Sequence, residues 1–299
     1  MVEGQDGLNW ERWTRLARAV EELGFAGLYR SDHFTNPDGP PLDALEMWTS
    51  LTWLAGHTSR IEFGPLVSPV SFRHPVVTAW TAAAVDDLSG GRLRLGLGAG
   101  WQEREHDSFG FDLLDTDQRF ARFEEGLEVI RLLFSSDDPV EFDGEFYRLQ
   151  DAVLLPRPAR RGGPPIVIGG NGPRRTLPLV ARYADEWNSV FTTLERFSDL
   201  NGQLDRLLEA AGRPPDEVRR TLMTRGVIGR ADADLRTKIA DATRADLIER
   251  GALVGNPNQI GEHFARMADH GVQRVMVQWL ELDDIDGLEL LAEVIPSRV

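Results

Sequence analysis

Stretches with helical spacing and stretches with extended spacing alternate along the whole chain. That alternation restricts it to an α/β fold built on a parallel sheet. Trp10, Trp13, Leu16, Ala17, Val20 and Leu23 recur at helical spacing, with Asn9 as N-cap and Gly24 closing the helix. Phe25 to Tyr29 reads as the next strand. Asp43 and Glu46 form a capping-box pattern ahead of Leu45, Trp48, Leu51 and Ala55. Ile61 to Val67 is extended, and His74-Pro75 opens a helix with proline in its first turn. Further strands are expected at 92–98, 166–169, 186–190, 222–228 and 274–279. Helices are expected near 117–134, 173–183, 195–211, 232–249, 257–269 and 285–294. About eight such units favour closure into a (β/α)8 TIM barrel spanning 1–299 as a single domain.

Two regions break the alternation. Residues 137–163 are rich in Pro, Arg and Gly, and Val140 to Tyr147 reads as a hairpin with an Asp143-Gly144 turn, so this insertion is expected outside the barrel. At the other extreme, only Met1 to Gly4 precede the first helical region, so the first strand is expected to be truncated.

Composition narrows the function. A net charge of −15 repels polyanions, so neither nucleic acid nor an anionic membrane surface is an expected partner. No apolar run reaches the roughly 18 residues that span a bilayer, and no secretory signal is visible, so a cytoplasmic location is expected. The absence of cysteine excludes disulfides and thiol chemistry. His33, His57, His74, His106, His263 and His270 include no pair with zincin spacing, and no metal site is expected. Gly96, Gly98 and Gly100 resemble part of a dinucleotide fingerprint, but Trp101 and Glu103 stand where its later glycine belongs. Neither a Walker loop nor a Gly-x-Ser-x-Gly elbow occurs.

Three places can carry chemistry. Asp32 and His33 directly follow a strand, where a barrel presents its active site, and an imidazole there can move protons near neutral pH. In 92–98 the leucines share one face while Arg94, Gly96 and Gly98 share the other, a pattern that suits either a ligand's approach or a tight turn. Gly169-Gly170-Asn171-Gly172 leaves a strand and enters a helix ahead of Arg174 and Arg175, which suits a phosphate held by backbone N–H groups and the helix dipole. Arg157, Arg160 and Arg161 either extend that basic rim or are solvated charges.

The chain resembles the luciferase-like monooxygenase family, and best its F420-dependent oxidoreductase branch. The resemblance rests on Gly27 to Phe34, on Leu66 to Pro69 followed by Arg73-His74-Pro75, and on Leu88 to Arg92. It continues in Gly96 to Trp101, Gly169 to Gly172 and Ala184 to Asn188. It implies a (β/α)8 barrel with a flavin-like ring at the C-terminal mouth and Asp32 with His33 as the catalytic pair. It also implies a strand-three bulge at Pro65, Leu66 and Ser68 with a non-prolyl cis peptide between Pro65 and Leu66. Ala99, Gly100 and Trp101 would lie beside the ring, with Gly169 to Gly172, Arg174 and Arg175 on the phosphate.

The activity so implied is hydride transfer between the deazaflavin coenzyme F420 and a small organic substrate, with His33 handling the proton and Asp32 polarising the ring or positioning the imidazole. One alternative is an FMN-dependent monooxygenase on the same barrel, and another is a non-catalytic flavin or deazaflavin binder. Phe34, Trp101, Phe109 and Phe111 in the mouth loops suit an apolar or aromatic substrate. The resemblance also makes a homodimer plausible.

Overall fold

A computed structural model describes residues 1–239 and 243–295. Among the described residues there are eleven strands: β1 Gly27–Arg30, β2 Glu62–Pro65, β3 Ser68–Pro69, β4 Leu95–Gly98, β5 Val140–Asp143 and β6 Arg148–Ala152 come first. Then follow β7 Ile166–Gly169, β8 Glu186–Val190, β9 Arg219–Ile228, β10 Leu253–Gly255 and β11 Arg274–Gln278. All pairings are parallel except β5 with β6, which form a separate antiparallel ribbon inside the 137–163 segment.

The main sheet runs β3, β4, β7, β8, β9, with β9 long enough to pair β11 along Thr221–Arg225 and β10 along Gly226–Ile228. β1 pairs β2, and Phe63 of β2 bridges to Leu93 just ahead of β4. Among the described residues, only Met1 and Val2 bond to both β1 and β11. The Met1 nitrogen donates to Val277 O at 2.9 Å and Trp279 N donates to Met1 O at 2.8 Å. Val2 N donates to Tyr29 O at 2.9 Å, and Ser31 N to Val2 O at 3.1 Å. Met1 and Val2 thus make backbone bonds to both β11 and β1.

Side-chain alternation puts the core on the outer face. Leu93, Leu95 and Leu97 are fully buried and pack with Ile166, Ile168, Leu127 and Ile130 into one large cluster between sheet and helices. The first helix, Trp10–Glu22, buries Trp13, Leu16, Ala17 and Val20, and Asn9 caps it by accepting from Arg12 N at 3.1 Å. A smaller cluster, Tyr29, Leu66, Val167, Met223 and Met276, fills the space enclosed by the inner face.

Several local expectations shift. Glu46, not Asp43, caps the helix Met47–His57, accepting from Thr49 N at 2.6 Å. Asp43 is instead held beside the first loop by Gly7 N donating to its carbonyl at 3.0 Å. The helix expected at 232–249 is two short ones, Asp232–Lys238 and Arg244–Glu249, and the expected helical residues 240–242 lie outside the described residues. β10 and the helix Glu103–Phe109 were not expected at all.

Candidate active site

Parallel strands place all their C-terminal ends together, so Ser31-Asp32-His33, Val67-Ser68, Ala99-Gly100-Trp101, Gly170-Asn171 and Phe191 converge on one mouth. His33 and Asp32 are both there, but they are not a pair. His33 Nδ1 meets Glu105 Oε1 at 2.7 Å, and the second oxygen of Glu105 accepts from Phe34 N at 3.0 Å. Glu105 is fully buried, and the helix Glu103–Phe109 holds it. Asp32 turns the other way, accepting from Ser68 Oγ at 2.7 Å and from Arg73 Nη1 at 2.5 Å, while Arg73 also reaches Glu46 at 3.0 Å. Positioning of the imidazole therefore belongs to Glu105, and Asp32 anchors the loop after β2.

Electrostatics follow from this wiring. Burial opposes protonation of His33, yet the hydrogen bond and charge of Glu105, with Glu3 and Asp32 behind it, raise its pKa above the ordinary value. The carboxylate fixes the proton on Nδ1 and leaves Nε2 free to exchange one. Trp101 stands edge-on to the imidazole, ring centroids 5.6 Å apart, and is 60% exposed.

The floor of the mouth is a concession by glycines. A Cβ on Gly98 would lie 2.6 Å from Val67, and Cβ atoms on Gly96 or Gly169 would lie 3.2 Å from it. Gly98 and Gly169 thus make room for the Val67 side chain and Gly96 chiefly for the Pro65 carbonyl, so the small residues of 92–98 accommodate the chain around β2 and its following loop, where either a ligand's approach or a tight turn was expected. The non-prolyl cis peptide is present, but between Leu66 and Val67, one bond beyond the place expected from Pro65. Pro65 still pairs with Arg30 in β2, and Leu66 is buried in the inner cluster. Ala99 is buried and Gly100 takes a φ of 88°, with Arg119 donating to its carbonyl at 3.1 Å.

The glycine run is shaped for an anion. Gly170 has a φ of 126°, closed to ordinary side chains, and its N–H donates to Asn188 O at 2.9 Å. Asn171 is tied down by Val190, donating to its carbonyl at 2.6 Å and accepting from its N–H at 3.0 Å. Gly172 O accepts from Thr176 N and Leu177 N at the start of the helix Thr176–Tyr183. Among the described residues, the N–H groups of Asn171, Gly172, Arg174 and Arg175 donate to no protein acceptor. These residues fit a phosphate: a cradle that a Cβ would fill, backed by unclaimed donors at a helix N-terminus. Arg174 is exposed there, whereas Arg175 is engaged by Asp117 and lies 5.9 Å from the ring of Phe120.

Other expected contributors fall elsewhere. Arg160 bonds the Gly91 carbonyl and Asp86 ahead of β4, and Arg157 donates to Asp137 O at 2.6 Å; both arginines are thus taken up by structural contacts, and Arg160 sits at the opposite end of the sheet. Phe34, Phe72 and Phe111 pack on one another at 4.9–5.4 Å, leaving Trp101 and the 55% exposed Phe109 to face solvent at the mouth. Sequence reasoning missed Glu105, Arg73 and Val67 as site residues. The available signal was an acidic helix start, Glu103 to Glu105, immediately after a strand end.

A family profile described as luciferase-like monooxygenase matches residues 2–244. An F420-dependent glucose-6-phosphate dehydrogenase from Kineococcus radiotolerans is 33% identical over 213 residues, 68% of this chain and 60% of its own length. A phthiodiolone/phenolphthiodiolone dimycocerosates ketoreductase from Mycobacterium bovis is 34% identical over 244 residues, 79% of this chain and 59% of its own. The chain thus spans about three fifths of these relatives. In fold it is similar to an F420-dependent secondary alcohol dehydrogenase solved with an F420-acetone adduct, at a TM-score of 0.83 and 18% identity, covering 99% of this chain and 98% of that one. Among the described residues no helix is long and apolar enough to cross a membrane.

Proposed function

The chain belongs to the luciferase-like monooxygenase family, and on that premise we propose that it is an oxidoreductase moving hydride between the deazaflavin coenzyme F420 and a small organic alcohol or carbonyl compound. The observation that carries this reading is the His33–Glu105 pair, 2.7 Å apart and opening beside Trp101 at the C-terminal mouth. The relatives' names support the cofactor and the alcohol–carbonyl chemistry.

When bound, the deazaflavin would supply the hydride-carrying carbon. Asn171, Gly172, Arg174 and Arg175 would hold its phosphate through their N–H groups, and the floor at Val67 would underlie its ring. In alcohol oxidation, His33 Nε2 takes the hydroxyl proton while Glu105 stabilises the imidazolium through Nδ1. In carbonyl reduction the same nitrogen returns the proton to the substrate oxygen. Asp32, locked to Arg73 and Ser68, keeps the loop after β2 in place and holds no proton for the reaction.

We further infer that the strands close into a (β/α)8 barrel, supported by the bonds of Met1 and Val2 to both β1 and β11. The exposed Trp101 and Phe109 favour an apolar or aromatic substrate. A homodimer is part of the same proposal and follows from the family resemblance. The test is stopped-flow reduction of F420 with a panel of secondary alcohols by wild type and His33→Ala. Hydride transfer that slows on loss of the imidazole is expected; no reduction of F420 by any substrate, or unchanged kinetics in the variant, overturns the reading.

A further inference from the structure

The helix Thr116–Ser135 starts at the rim of the mouth, where its Asp117 engages Arg175 at the entrance to the helix Thr176–Tyr183. Further along the same helix Glu124 is paired with Arg182, and Arg131 with Asp185. Arg119 and Arg122 differ. Arg119 Nη1 donates to Gly100 O at 3.1 Å and Nη2 to Thr116 Oγ1 at 3.2 Å, while Arg122 Nη2 donates to Asp112 O at 2.6 Å. Among the described residues, neither guanidinium pairs with a carboxylate, and the Nε of each has no hydrogen-bond partner. Both meet only neutral oxygens, and several of their donors go unused.

Their placement makes this costly. Residues three apart on a helix are neighbours on one face, so the two positive charges sit side by side, and both side chains are half-buried. Burial lowers the Arg122 pKa; Tyr147 and Asp112 act against that shift, and the like charge of Arg119 adds to it. A bound anion would relieve the repulsion and take up the free donors, and a carboxylate matches the planar guanidinium in shape. The pair also stands beside the phosphate cradle. Arg119 bonds the carbonyl of Gly100, just past the end of β4, and β4 pairs with β7, whose end opens into Gly170 to Gly172.

We propose that Arg119 and Arg122 form an anion subsite next to the cradle, which holds carboxylates of the coenzyme's glutamate tail beyond its phosphate. The inference rests on the reading of the chain as F420-dependent and deepens it. FMN ends at its phosphate, whereas F420 continues from the phosphate through a lactyl unit into a chain of glutamates. Backbone N–H groups at 171–175 suffice for a phosphate. Two further guanidinium groups without counter-charge, one strand away, suit a ligand that carries more negative charge past that point. Arg174, on the cradle itself, serves the phosphate and not the tail.

The test is a fluorescence titration with two forms of the coenzyme, F420 bearing several glutamates and the same molecule ending at its phospholactyl group. Wild type is expected to bind the tailed form about tenfold more tightly at low salt, an advantage that shrinks as salt rises. In an Arg119→Gln, Arg122→Gln double variant the amides can still donate to the Gly100 and Asp112 carbonyls, but the charges are gone. There the tailed form should weaken about tenfold while the tail-less form binds as before, which also shows that the variant is folded. Lysine at both positions should keep most of the preference, and Arg174→Ala should weaken both forms alike. Equal affinity of wild type for the two forms, a preference that survives the double variant, or equal weakening of both forms by it overturns the proposal and leaves the cofactor assignment standing. Binding of neither form overturns that assignment and the proposal with it.

Discussion

The two ends of the sheet carry the same kinds of charged group and use them differently. At the N-terminal end Glu62 lies between Arg94, at 2.5 Å, and Arg274, which also donates to the Tyr29 hydroxyl at 2.9 Å. Burial opposes the charge on Glu62, but the two guanidinium groups hold its carboxyl below the ordinary range. Every cation there is an arginine, so Glu62 keeps one charge state across the physiological range. At the mouth, the buried carboxylate of Glu105 faces an imidazole and raises its pKa above the ordinary histidine value. A carboxylate paired with arginine is structural; one paired with a histidine that opens toward solvent is available for proton transfer.

The largest test of this contrast is Glu105→Gln. Loss of the charge that orients and stabilises the imidazolium is expected to lower kcat by about 10²–10³-fold, with F420 affinity little changed. The pH dependence moves in a defined direction. Glu105 raises the folded-state pKa of His33, so the pair's contribution to stability is present below the ordinary histidine value and fades as pH rises through the raised one. Removing Glu105 leaves burial opposed only by the charges of Glu3 and Asp32, so the ionisation limb assigned to His33 should move to lower pH. A limb that stays in place would contradict the pairing.

Glu62→Gln breaks the other end. It leaves Arg94 and Arg274 short of a partner and is expected to cost about 2 kcal/mol in urea unfolding, with kcat within about twofold of wild type. Loss of activity without loss of stability would erase the distinction between the two ends. Gly98→Ala acts on the floor alone: the new methyl must displace Val67, at an expected cost of about 1–2 kcal/mol, together with weakened F420 binding. Smallest of all, Arg174→Ala is expected to raise the Kd for F420 by a few-fold and to steepen no unfolding curve. Titrations at low and high salt would show the difference shrinking as screening rises.

How much was legible in the chain depended on how local the cause was. The helix Trp10–Glu22 and its Asn9 cap, the His74-Pro75 start and the leucine face of 92–98 all follow from neighbours within a few residues, and each stands where expected. The glycine turn into the helix Thr176–Tyr183 was legible for the same reason, because glycine spacing and a helix start are local signals. Glu105 was not: it reaches its partner across 72 positions, and nothing in the spacing distinguishes it from Glu103. Asp32 bonds Ser68 and Arg73 and not the adjacent His33, because successive residues of an extended segment point apart. β10 is three residues long, too short for alternation to register. The bonds of Met1 and Val2 to β11 and β1 were not legible either, because their partners lie far along the chain.

The proposed chemistry needs F420 seated at the C-terminal mouth, and titration of the purified chain with F420 and, separately, FMN measures that directly. Saturable binding of F420, weakened in Gly170→Val and in Gly98→Ala but not in Glu62→Gln, is the expected result. Binding of FMN in preference to F420, or F420 binding that ignores the mouth substitutions and responds to Glu62→Gln, would contradict it.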